Sequence, residues 1–81
     1  MITSISLELT NGERYTYCGS EGWRIQHTNF GFHLIKFTEG NNFCEMEVNF
    51  EKESLWSYSI EDGDYEEEFF GHLRTFYLEV V

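Results

Sequence analysis

The chain has 81 residues, among them eight Phe, five Tyr and two Trp, with neither Pro nor Ala, and a formal net charge of -10 from fifteen acids and five bases. This length supports one domain, residues 1–81, which can barely form a cleft of the kind that glycoside hydrolysis needs. The charge argues against direct binding of nucleic acid or anionic membrane, since both are polyanions, and favours basic partners.

The excess charge is not spread evenly. Residues 1–38 balance three acids against three bases, whereas residues 39–81 hold twelve acids against Lys52 and Arg74. The absence of Ala and the many aromatic and β-branched residues lean the chain toward strands. No basic stretch followed by an apolar one opens the sequence, and no apolar run approaches the ~20 residues of a membrane span. A soluble cytoplasmic protein is the expectation, in a host cytoplasm if the gene is phage-encoded. Cys18 and Cys44 are then expected to be reduced and inward-facing.

In chain order, Ile5, Leu7 and Leu9 alternate with polar residues, a half-buried strand pattern. A two-residue turn at Asn11-Gly12 would put the apolar sets of the two strands on opposite faces. A three-residue loop, Thr10-Asn11-Gly12 with Gly12 left-handed, instead pairs Leu7 with Tyr15, Ile5 with Tyr17 and Glu8 with Arg14, and is chosen for that reason. Trp23, Ile25 and His27 mark a third strand, and 32–38 a denser apolar one. Cys44, Met46, Val48 and Phe50 alternate with Glu45, Glu47, Asn49 and Glu51 in the clearest strand pattern of the chain. A sixth strand carries Trp56, Tyr58 and Ile60 on one face and Leu55, Ser57 and Ser59 on the other.

Glu61–Glu68 follows, with six acids in eight residues. Asp62-Gly63 is compatible with a tight hairpin turn leading into a strand over 65–70. Asp64 with Glu67 also forms a capping-box-like pair, and Tyr65, Phe69, Phe70 and Leu73 fall at helical spacing, with acids in the first turns where the helix dipole favours them. The second reading places a short helix near residues 64–73, although Gly71 opposes it by about 1 kcal/mol relative to Ala. Phe76 to Val81 reads as a closing strand. The fold class is therefore α+β, mainly β: a bent antiparallel sheet or partly open small barrel of six or seven strands with that one helix.

The candidate partner-binding residues are Glu45, Glu47, Glu51, Glu61, Asp62, Asp64, Tyr65, Glu66, Glu67 and Glu68. A surface shaped for solubility alone mixes both signs of charge, and this half does not. Carboxylates pair with Arg and Lys while an aromatic anchors the contact, and Tyr65 is the best placed anchor. The remaining aromatics, Phe43, Trp56, Tyr58, Phe69 and Phe70, are read mostly as core, with Phe43 outward. Asp62, Asp64 and Glu66 mimic the first, third and fifth positions of an EF-hand, but Glu67 stands where Gly is required and Leu73 where the bidentate Glu belongs. No zinc-ligand spacing occurs among the Cys and His residues. No catalytic residues, metal or cofactor are assigned.

The expected function is a non-enzymatic acidic inhibitor that blocks the basic nucleic-acid-binding surface of a partner protein such as a nuclease. It would mimic nucleic acid in the manner of phage anti-defence proteins that act on CRISPR or restriction effectors. An immunity protein or antitoxin neutralising a nuclease toxin is the nearest alternative. A small-molecule or metal-binding β-barrel module, or an assembly component, is the alternative from another class.

Overall fold

The computed structural model, which describes residues 1–81, begins with the hairpin that its buried face requires. Strands β1 (Ile2–Leu9) and β2 (Arg14–Cys18) pair Leu7 with Tyr15, Ile5 with Tyr17 and Glu8 with Arg14 across the three-residue loop. Gly12 is left-handed at φ 90°, as expected. On the outer face Arg14 Nε lies 3.2 Å from Glu8 Oε2.

A 3-10 turn at Gly19–Glu21 leads to β3 (Arg24–His27), β4 (Gly31–Phe37), β5 (Phe43–Asn49), β6 (Ser54–Glu61) and β7 (Asp64–Val80). All neighbours are antiparallel, in the order β2-β1-β7-β6-β5-β4-β3. The sheet curls into a half-barrel that brings β3 back against β1. At that seam Tyr17 meets Trp23 edge-on, with ring centroids 5.0 Å apart. The concave face buries one cluster: Ile5, Leu7, Leu9, Phe32, Leu34, Met46, Val48 and Leu55. Cys18 and Cys44 are free and half-buried. The bent antiparallel sheet of seven strands agrees with the expected fold class.

The helix near residues 64–73 does not form; these residues are the first part of β7. Asp62 and Gly63 have φ 51° and 84°, the two positive values of a tight type I′ hairpin turn, and Glu61 pairs with Asp64 across it. Tertiary demand decides between the readings. A strand here hydrogen-bonds to β6 from Asp64 to His72 and runs on without a break into the partner of β1 from Leu73, which no helix could do.

The spacing that resembles a helix has a different origin. Phe70 is the extra residue of a bulge opposite Leu55 and Trp56, and Arg74 that of a second bulge opposite Glu8 and Leu9. Bulges bend and twist a strand. Between them Gly71 sits at φ 149°, where an added Cβ would meet Leu9 Cδ1 at 2.9 Å. The bend turns both Phe70 and Leu73 onto the core.

Candidate partner-binding site

Strand parity sorts the acidic residues onto two faces. From the pairing register, Glu45 and Glu47 on β5 share the convex face with Trp56, Tyr58 and Ile60 on β6 and with Tyr65, Glu67 and Phe69 on β7. Glu61, Asp64, Glu66 and Glu68 take the opposite face beside Ser57 and Ser59, continuing the concave side past the end of the core. Asp62 is in the turn, where its N–H donates to Asn42 Oδ1 at 3.0 Å. The β6–β7 hairpin carries four acids on the concave side and one, Glu67, on the convex side, where Glu45 and Glu47 of β5 join it, and its tip forms a shallow hollow of about 160 Å³ lined by Ser59, Glu61, Asp62, Asp64 and Glu66.

Glu51 does not join them. β5 ends at Asn49, which is buried and whose Oδ1 accepts the Lys52 N–H at 2.9 Å, closing the turn in which Glu51 sits. That turn lies at the other end of β6 from Asp62-Gly63, roughly 25 Å away along the strand at the usual rise.

The aromatics are the larger correction. None of Phe43, Trp56, Tyr58, Tyr65, Phe69 and Phe70 belongs to the buried cluster, and only Phe70 packs against it. Leu55 and Ser57 take the core side of β6 because Val48 and Met46, their partners on β5, already face inward. Trp56 and Tyr58 are thereby left half-buried on the convex face, with Tyr65 and Phe69 exposed by 57% and 43%. Alternation could show that Trp56 and Tyr58 share a face. Which face is buried depends on β5, a partner distant in sequence.

On the convex face His33 Nε2 lies 3.0 Å from Glu45 Oε2, and Tyr65 Oη donates to Glu67 Oε1 at 2.9 Å. The Tyr58 hydroxyl pKa is raised, first by desolvation and then by the charges of Glu47, Glu67 and Glu45. That of Tyr65 is raised chiefly by its hydrogen bond to Glu67. Both phenols therefore stay neutral donors at physiological pH. Elsewhere the Cys18 thiol pKa is raised by desolvation, then by its hydrogen bond to and the charge of Glu21, the opposite of what an attacking thiolate needs.

The backbone adds one feature. β1 pairs only with the later part of β7, from Leu73 onward. Residues 64–70 of β7 therefore have β6 on one side and no strand on the other. The acid run lies along an open sheet edge.

No group of three or more His, Cys, Asp or Glu side chains is arranged to hold a metal ion, and no helix is long and apolar enough to cross a membrane. Comparison with protein-family models, with curated proteins and with solved structures returns no match.

Proposed function

We propose that this protein is a non-enzymatic inhibitor whose β6–β7 hairpin occupies the basic nucleic-acid-binding surface of a partner protein, as a nucleic-acid mimic of the phage anti-defence type. One observation carries the reading: strand alternation puts Glu61, Asp64, Glu66 and Glu68 on one face of the β6–β7 hairpin and Glu67 on the other, beside Glu45 and Glu47 of β5, with no Lys or Arg between Lys52 and Arg74. A nucleic-acid cleft has basic walls on two sides, and a two-sided acidic blade is complementary to it. Side chains two residues apart on a strand recur about every 6.6 Å, which holds the carboxylates in a rigid array. Rigidity limits the entropy lost on binding.

Association driven this way is fast and weakens with salt, because exposed charges are screened beyond about 8 Å at physiological ionic strength. The test is affinity capture from host lysate at low salt, followed by elution with rising salt. The expected outcome is a basic nucleic-acid-binding protein whose nucleic-acid binding is lost in the complex. The double variant Glu66→Lys/Glu67→Lys, which reverses one charge on each face, is expected to abolish capture at physiological salt. Undiminished capture by that variant overturns the reading. An immunity role against a nuclease toxin uses the same surface chemistry, and the identity of the captured partner separates the two.

A further inference from the structure

The convex face has an order beyond its charge. Trp56 and Tyr58 lie two residues apart on β6 with ring planes 15° from parallel and centroids 6.5 Å apart, a strip of two stacked aromatic rings along the strand. Tyr58 is directly opposite Glu45 on β5 and Glu67 on β7, and Trp56 is opposite Glu47 and Phe69. Directly opposed residues bring their Cβ atoms to about 4.5–5.5 Å. The strip is therefore flanked by a carboxylate on each side of Tyr58 and by a third beside Trp56.

These carboxylates are not used up. His33 takes Oε2 of Glu45 and Tyr65 takes Oε1 of Glu67, so each retains one oxygen without a protein partner, and Glu47 retains both.

Resting on the reading that the partner is basic, we propose that this face is an arginine platform: a guanidinium from a partner protein stacks on the Trp56–Tyr58 strip and donates to Glu45, Glu47 and Glu67. Charge complementarity selects the occupant. Three carboxylates stand at the centre of the face, with His33 against Glu45 and Arg24 farther out on β3 as its basic groups, so a second copy of the chain would meet like charge there and phosphates would be repelled. The chemistry selects arginine over lysine. A guanidinium is planar, weakly hydrated and offers five donors around its edge, so it can stack and reach carboxylates on both sides at once; an ammonium is a hydrated point charge that does one or the other. The face already holds one such contact, with the Arg24 guanidinium carbon 5.8 Å from the centroid of the Phe37 ring.

The test compares short oligo-arginine and oligo-lysine peptides of equal length on the wild-type protein at physiological salt, by calorimetry, with amide NMR to locate the contact. The arginine peptide is expected to bind about five- to tenfold tighter and to shift the Trp56 indole and its neighbours. Tyr58→Leu is expected to bring the ratio to about one, while Glu47→Gln/Glu67→Gln weakens both peptides, each variant being compared after its melt is shown to match wild type. Equal affinities in the wild type overturn the platform, as does a wild-type dimer that buries Trp56. Either result leaves the inhibitor reading standing if Glu66→Lys/Glu67→Lys still loses the captured partner. An arginine preference without any basic partner in the capture experiment keeps the platform and removes the inhibitor.

Discussion

Gly31 opens β4 at φ 156°, and a Cβ there would collide with the carbonyl oxygen of Val48, a backbone atom that cannot rotate away. The close approach lets β4 pair Gly31 with Asn49 and Phe32 with Val48. Gly31→Ala is expected to cost about 3 kcal/mol, from backbone strain and overpacking together, seen as a lower urea midpoint with an unchanged slope. Tyr17 makes a pH-dependent contribution. Burial first, then the charges of Cys44 and Tyr15, push its pKa up to about 12 from 10.0. Unfolded chain releases that proton near 10 while the folded protein holds it, so the stabilisation is complete below pH 10 and is lost as pH rises toward 12. Denaturation midpoints across that window are expected to fall in the wild type and to flatten in Tyr17→Phe. An equally steep fall in the variant would assign the effect to the other tyrosines.

At the scale of elements, β7 is two strands joined by a bend. Its first half pairs with β6 through His72 and its second half with β1 from Leu73 onward, and the first half leaves its other edge open. Open edges invite pairing with another chain, and natural sheets blunt them with charge. Asp64, Glu66, Glu67 and Glu68 lie along this one, so part of the acid run has a structural use independent of any partner. Replacing Glu66 and Glu68 by Thr removes two of those charges while raising strand propensity. The variant is expected to self-associate with concentration in analytical ultracentrifugation while the wild type does not. A strictly monomeric variant would leave the acids without this role. The same element explains the misread helix. Asp64, Glu67 and the 65, 69, 70, 73 spacing satisfy local helix rules, yet β6 would lose a hydrogen-bonding neighbour along its whole length if the segment coiled.

At the scale of the whole molecule, the curl of the sheet gives two surfaces of opposite character. The concave side buries the aliphatic residues and the convex side of β4–β7 displays aromatics between carboxylates. An 81-residue domain has a small core, so an aromatic left outside it is a sizeable sacrifice of burial. That cost is the physical reason for which the proposed partner contact is put on the convex face.

Local chemistry determined much of this protein. The strand-rich class, the first hairpin with its register, the turns near residues 29–31, 39–42 and 51–53, and the pairing of Glu45 with Glu47 on one face all follow from alternation and turn residues. What only the tertiary structure decided is which of two faces each strand buries and what residues 64–73 become. Alternation is symmetric: it says that Trp56 and Tyr58 lie opposite Leu55 and Ser57, and both sets contain apolar residues. The choice is made by β5, whose Met46 and Val48 must meet Ser57 and Leu55 on the inner side. It is made again by β1 and β6, whose edges need one continuous strand between them. Those constraints join residues far apart in sequence, and they are what divided a single acidic run between two faces.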